Sequence, residues 1–327
     1  MSIGIKDVAK AAGVSAATVS RVLGSGSVSP DLRDKVEAAV RATGYRPNLS
    51  ARRLRSQHSR TIGLIVSDIA NPFFTELSRA VEMAAHQADL RVMLCNTDEN
   101  PEREALYLEM MQEERITGLI LAPTSVGAAR IATMDFDFPV ILIDRAGPLG
   151  AHDEVTIDNA ESARLLVEHL VARGHRHIAG IFGNTSSTAA ARHEGYVAAM
   201  AAHGLPPHAQ FVAPTAEAAG AAFMRMVERS LRLDAVLASN GLILLGVVKA
   251  SKAMGLEMPR DLSVVGFDNE TWTDLVGAGI TVIEQPVAEI GRTAMALLFE
   301  RLACPHLPPR RVVLSGRLVE RGMPRPA

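Results

Sequence analysis

From Thr61 onward the chain alternates short, unbroken apolar runs with stretches of helix length, and this alternation constrains the fold more than any other feature. Runs rich in β-branched and aliphatic residues are expected as strands over residues 62–66, 91–95, 118–122 and 140–143. A second series is expected over 178–182, 235–238 and 263–267. Strands buried on both faces read as continuous apolar runs, and crossover helices between them imply parallel sheets covered on both sides. Two such series predict two α/β lobes. Ligands in that architecture lie beyond the carboxyl ends of the strands, so a cleft between lobes is the expected site. A strand over 281–283, a helix from 286 to about 302 and a strand over 312–314 complete this body.

The first sixty residues follow another pattern and carry another charge. They hold 11 Lys+Arg against 4 Asp+Glu, leaving 23 against 32 for the rest of a chain whose net charge is only -2. A basic head on an acidic body points to an anionic partner for the head alone, because attraction to phosphate does not depend on base sequence. With 327 residues and 48% apolar content the chain can bury at least one large core and is expected to form two or three domains.

Within the head, Ile5 to Gly24 reads IKDVAKAAGVSAATVSRVLG. Val8, Ala9 and Ala12 share one face of a first helix, and Val19, Val22 and Leu23 form the inward face of a second. Gly13 can take a positive φ without steric cost, and Ser15 can cap the second helix. A plain helical hairpin has the same spacing. The DNA-binding alternative rests on the residues pointing away from the stripe: Ala16, Ala17, Thr18, Ser20 and Arg21 are small, hydroxylic or cationic, as a helix entering the major groove requires. Ser29-Pro30 then opens a third helix, with Leu32, Val36, Ala39 and Val40 at helical spacing until Gly44. Residues 49–55 are too few to hold as a helix alone in water. They read either as a solvated basic linker or as a hinge that folds on DNA, with Leu54 as an apolar wedge for a minor-groove base step.

The strings IKDVAKAAGVSAATVSRVL, GYRPNLSARRLR, TIGLIVSDIANPFF, GHRHIAGIFG, LSVVGFDN and TVIEQPVAEIG, in this order and spacing, resemble the LacI/GalR-type bacterial transcription regulators across essentially the whole chain. The resemblance implies an all-α helix-turn-helix head, a hinge helix that folds on DNA, and an α/β body of two lobes with parallel sheets like those of periplasmic binding proteins. It divides the chain into a head over 1–47, a hinge and linker over 48–60, and an effector-binding and dimerisation body over 61–327. It implies a repressor whose affinity for a pseudo-palindromic operator is switched by a small sugar or sugar-acid effector. Homodimers form through the body, and some members pair further into tetramers. No enzyme activity, cofactor or metal is implied.

Residue by residue, the positions that choose operator bases in that family are Ala16 and Ala17 here. Alanine offers a thymine methyl contact but no hydrogen bond, which shifts direct readout onto Arg21, with Ser20 and Thr18 on phosphates; Ser15 is also among the expected DNA-binding residues. The alternative is that Arg21 touches phosphate only. Asn48, Arg52 and Leu54 are the expected hinge contacts, Leu54 standing where the family inserts a leucine into the central base step.

For the effector, Asp68, Asn71, Phe73 and Phe74 match the family's first cleft segment, with one of the two phenylalanines expected to be helix core. Apolar rings beside a few carboxylate or carboxamide groups suit a sugar-like ligand. Arg192 and Asp268 match residues that grip the effector, Asp144 and Asn240 stand at analogous strand ends, and Thr188 lies one helical turn before Arg192. Gly241 departs from the family, which commonly has Asp there. With Arg192, that loss of an acid favours a sugar acid. Trp272, the only tryptophan, either stacks on the ligand or packs the lobe, and packing has the stronger case.

Rival classes find little support. No P-loop or dinucleotide glycine string is present, and His175 and His177 form a pair lacking a third metal ligand. A transport binding protein would suit the body but not the basic head or the N-terminus, which lacks a signal-peptide core. Cys95 and Cys304, far apart in apolar surroundings, fit a reducing cytosol. The expected location is cytoplasmic, and no apolar run reaches membrane-spanning length.

Overall fold

Three helices, α1 (Ile5–Ala12), α2 (Ala16–Leu23) and α3 (Pro30–Thr43), build the amino-terminal unit. Each contributes one fully buried valine, Val8, Val19 and Val36, to a core completed by Ala9, Val22 and Ala39. Gly13 ends α1 with φ 65° and turns the chain within three residues. Ser15 Oγ accepts a hydrogen bond from the Thr18 amide at 3.1 Å, capping α2 as its sequence position predicts. The computed structural model describes residues 4–23, 28–45, 59–148, 150–229 and 232–322. Two units divide the chain, residues 1–59 and 60–327.

In the second unit a first lobe runs through β1 (Thr61–Val66), α4 (Pro72–Gln87), β2 (Arg91–Asn96), α5 (Pro101–Glu113), β3 (Gly118–Leu121), α6 (Ser125–Ile131), β4 (Val140–Ile143) and β5 (Asp153–Ile157). A second lobe follows: α7 (Asn159–Ala172), β6 (Ile178–Gly183), α8 (Ser187–Ala202), β7 (His208–Val212), α9 (Ala216–Glu228), β8 (Ala235–Ala238), α10 (Gly241–Ala253), β9 (Ser263–Phe267) and β10 (Thr281–Glu284). The chain then returns: α11 (Val287–Ala303) packs on α4, β11 (Arg311–Leu314) joins the first sheet and β12 (Arg317–Val319) the second.

The first sheet is parallel throughout, in the order β11-β5-β4-β3-β1-β2. The second, β12-β10-β9-β8-β6-β7, is parallel except for β12, which runs antiparallel to β10. Strands β1, β3, β4, β6, β8 and β9 are buried along their whole length, as unbroken apolar runs require. The chain crosses between lobes near residues 157–159, 284–287 and 314–317.

Three strands stand outside the expected series. β5 opens with Asp153 and Glu154, which interrupt the apolar run that marks the other buried strands. Both carboxylates are nevertheless buried, because Arg301 Nη2 reaches Asp153 at 2.7 Å and Arg311 Nε reaches Glu154 at 2.7 Å. β7 is an edge strand with mixed polar sequence, and β12 has only three residues. Among the described residues no helix is long and apolar enough to cross a membrane.

Candidate functional site

On the head, α2 presents Ala17 and Arg21 to solvent, and Arg21 forms no ion pair with a described residue. Ala16 differs from its expected outward position. It lies three residues before buried Val19, on the same helical face, and packs against the head core. Thr18 Oγ1 and Ser15 Oγ lie 2.9 Å apart at the exposed start of α2, and Ser20 is half-buried. Asn48, Arg52 and Leu54 lie outside the described residues.

In the body, a cavity with about 560 Å³ of empty space, mouth included, opens between the lobes at the carboxyl ends of the strands. It is lined by Asp68, Asn71, Phe73, Phe74, Asp144, Thr188, Arg192, Asn240 and Asp268, nine of the ten residues expected there. Local structure holds each in place. Asn71 caps α4, its Oδ1 accepting from the Phe73 amide at 3.1 Å, and Asp68 Oδ1 accepts from Ala70 at 2.9 Å. Phe73 and Phe74 meet edge to face, 5.0 Å between centroids. Both line the cavity and both belong to the lobe's core, so neither is core alone. Asn240 caps α10, its Oδ1 accepting from Ile243 at 2.8 Å.

Three contacts tie the second lobe into the cavity. Thr188 Oγ1 donates to the Asp144 carbonyl at 3.0 Å, directly between lobes. Arg192 is buried: Nε donates to Asn159 Oδ1 at 2.8 Å, Nη1 to the Ser239 carbonyl at 2.5 Å, and its guanidinium lies 3.8 Å from the centroid of the Phe267 ring. Its Nη2 is buried with no hydrogen-bond partner among the described residues. Asp268, at φ 74°, accepts from the Gly241 amide at 2.8 Å and from Gln285 Nε2 at 2.6 Å. Burial pulls the Arg192 guanidinium down, opposed by the charges of Asp268 and Asp144. Burial likewise pushes the Asp144 carboxyl up, opposed by Arg145 and Arg192.

Sequence reasoning missed Glu99, Arg145 and Gln285, which also line the cavity. Arg145 is buried and donates from Nη1 to Glu99 at 2.8 Å and to the Pro123 carbonyl at 3.1 Å; its Nη2 also donates to Glu99. Burial opposes its charge, and the bonds to Glu99 together with the negative charges of Glu99, Asp144 and Glu104 outweigh that, raising its pKa. The signal available was adjacency, since Arg145 follows Asp144. Gln285 lies in the EQP string that crosses between lobes, and its Oε1 is buried without a partner.

Trp272 is the exception among expected cleft residues. Its half-buried ring packs against the second lobe's core, and its Nε1 donates to Glu270 at 2.6 Å instead of reaching the cavity. Asp234 gathers this turn by accepting from the Arg176 and His177 amides, His175 Nδ1 lies 3.5 Å from it, and His177 itself is exposed.

Comparison with known proteins decides the class. Residues 4–48 match the family described as bacterial regulatory proteins, lacI family, and residues 167–322 match a periplasmic binding protein-like domain. The HTH-type transcriptional repressor PurR of Yersinia pestis (strain Pestoides F) is 30% identical over 325 residues, covering 97% of this chain and 95% of PurR. The chain belongs to the lacI family. This lacI-family protein is a DNA-binding transcriptional repressor with a ligand-binding domain, and not an enzyme. The lacI-family fold extends to solved structures. A Lac repressor dimer bound to operator and the anti-inducer ONPF superposes with a TM-score of 0.89 at 27% identity, covering 98% of both chains. The regulator CelR in complex with cellobiose gives 0.69 at 27% identity, covering 98% of this chain and 99% of CelR.

Proposed function

We propose that this repressor's operator affinity is switched by a neutral, polyhydroxylated, sugar-like effector held in the cleft between the lobes. The observation that carries the reading is a set of polar atoms on cavity-lining residues without hydrogen-bond partners among the described residues: Arg192 Nη2 and Arg145 Nε as donors and Gln285 Oε1 as acceptor, beside Phe73 and Phe74. A ligand with hydroxyls around an apolar ring face satisfies both kinds of group. A sugar-bound relative, the CelR–cellobiose complex, supports the class.

Charge favours the neutral member over a sugar acid. The cavity holds Asp68, Glu99, Asp144 and Asp268 against Arg145 and Arg192, and Arg145 is already engaged by Glu99. The remaining balance is acidic, so an anion would meet net repulsion in a poorly solvated site. Calorimetric titration of the full chain with neutral sugars and with their aldonic and uronic acids tests this. Heat from neutral sugars alone is expected, and binding confined to the acids overturns it.

The same reading divides the chain into a DNA-binding head over 1–47, a hinge over 48–60 and a body over 61–327. Arg21 reads bases, Ser15, Thr18 and Ser20 meet phosphates, Ala17 offers only a methyl contact, and Asn48, Arg52 and Leu54 form the hinge contacts, Leu54 as wedge. Arg21→Ala should then lower affinity most for the operator base that Arg21 contacts. Uniform weakening across operators with single base changes would reduce Arg21 to a phosphate contact. The protein acts as a homodimer on a pseudo-palindromic double-stranded operator in the cytoplasm. Exposed Met83 on α4 and Leu94 on the neighbouring β2 offer an apolar surface for the body contact.

A further inference from the structure

Gly241 opens α10, and the carboxyl group of Glu270 stands where a side chain at that position would begin. A Cβ on Gly241 would lie 2.2 Å from Glu270 Oε1 and 3.3 Å from Asp268 Oδ2. Glu270 is anchored at both ends. Its Oε2 accepts from Trp272 Nε1 at 2.6 Å, and its backbone carbonyl accepts from Thr273 Oγ1 at 2.7 Å. Its Oε1 is buried with no partner among the described residues. Glu270 lies on a groove that adjoins the effector cavity through Phe73, Asp268 and Gln285, without lining the cavity itself. Asp268 is the link: one oxygen accepts from Gly241 and the other from Gln285.

We propose that Gly241 and Glu270 form a reciprocal pair that sets effector selectivity: Glu270, held by Trp272, restores from the β9 side the negative charge that α10 lacks, and through Asp268 turns anionic ligands away. Glu270 is a positioning residue in this arrangement, and the proposal rests on the neutral-effector reading of the cleft. Gly241 is then required for space, since any side chain there must displace the carboxyl group. Trp272 has its role through Glu270 and not by stacking on ligand. Burial pushes the Glu270 carboxyl up, the Trp272 bond opposes this and Asp268 adds to it, so the local charge is best measured at pH 8.

Trp272, the only tryptophan, reports on this corner in the full chain. Its emission is quenched with iodide, an anion, and with neutral acrylamide at constant ionic strength. In Glu270→Gln the iodide-to-acrylamide ratio of quenching constants should rise about twofold, the scale of one nearby charge in a mostly aqueous medium. In Gly241→Asp/Glu270→Ala the ratio should fall from that of Glu270→Ala towards wild type, because the charge is supplied again from α10 and the shortened residue 270 leaves it room. Gly241→Ala should eject the carboxyl and give Trp272 the emission of Glu270→Ala. An unchanged ratio in Glu270→Gln, or wild-type emission in Gly241→Ala, overturns the pairing. Should Gly241→Ala fail to fold by circular dichroism, the Glu270→Gln ratio decides alone. Failure of the neutral-effector reading would appear separately, as binding confined to sugar acids in the calorimetric titration.

Discussion

Two buried arginines face the same cavity from opposite lobes, and they are used differently. Arg145, in the first lobe, puts Nη1 and Nη2 on Glu99 and the Pro123 carbonyl, and its Nε, without a hydrogen-bond partner among the described residues, lies 3.5 Å from Asp144 Oδ2, so its charge is met by two carboxylates of its own lobe. Arg192, in the second, makes two hydrogen bonds, stacks on Phe267 and keeps Nη2 without a partner among the described residues. A buried cation whose charge is met within its own lobe holds that lobe's shape. Arg192, which forms no ion pair with a described residue and hydrogen-bonds only neutral groups on the wall of the cavity, is the one poised for a ligand, because a buried donor is costly until something accepts from it.

The comparison breaks most visibly at Glu99. Glu99→Ala removes the two-bond partner of buried Arg145 and leaves it only Asp144, 3.5 Å from its Nε, as an ion-pair partner, and should cost about 3 kcal/mol in urea unfolding of the body. A loss under about 1 kcal/mol, the size typical of a surface pair, would place Arg145 among the solvent-screened arginines instead. Arg192→Ala should cost less stability, about 1–3 kcal/mol, since it orphans the Ser239 carbonyl and the Asn159 side chain. It should also weaken binding of any neutral sugar found by calorimetry by about tenfold or more, as loss of a charged hydrogen bond implies. If Arg192→Ala bound that sugar as wild type does, the distinction between the two arginines would fall.

Smaller still, Thr188→Val removes the hydroxyl bond to the Asp144 carbonyl between lobes, worth about 1 kcal/mol. Small-angle scattering should show a more open body in this variant. Glu104 sharpens the first-lobe side through pH. It is buried, and its carboxyl accepts from the Thr124 amide at 2.6 Å and from the Thr124 hydroxyl at 3.1 Å. Burial raises its pKa above the ordinary glutamate range, with the Thr124 bonds and Arg145 opposing. A raised folded value means its contribution is present at low pH and is lost as pH rises through that value. Glu104→Gln cannot titrate, so its stability relative to wild type should increase from about pH 4 to 7. Parallel stability curves over that range would remove Glu104 from the buried network.

Much of the site was legible because strand ends are legible. Asp68, Asp144, Asn240 and Asp268 each follow an apolar run, and parallel topology brings the carboxyl ends of such runs to one edge. Glu99 was not legible. It meets Arg145 across 46 positions of sequence, and nothing local distinguishes it from the acidic residues of neighbouring α5. Trp272 was legible as a choice between two roles, and in the fold its ring packs on the second lobe's core and bonds Glu270, off the cavity wall.

Local chemistry in the sequence determined the elements themselves. Gly13 turns the head, Pro30 follows the residue that opens α3, and unbroken Val, Ile and Leu runs make strands that must be covered on both faces. Charge along the chain separated a basic head from an acidic body. Tertiary structure alone decided which polar groups are satisfied. Asp153 and Glu154 became strand because arginines from residues 301 and 311 reach them, and Gly241 acquired a carboxylate neighbour from residue 270. The physical reason is range: periodicity and capping act within a helical turn or a few strand residues, whereas the pairing of a buried charge depends on what the fold brings beside it.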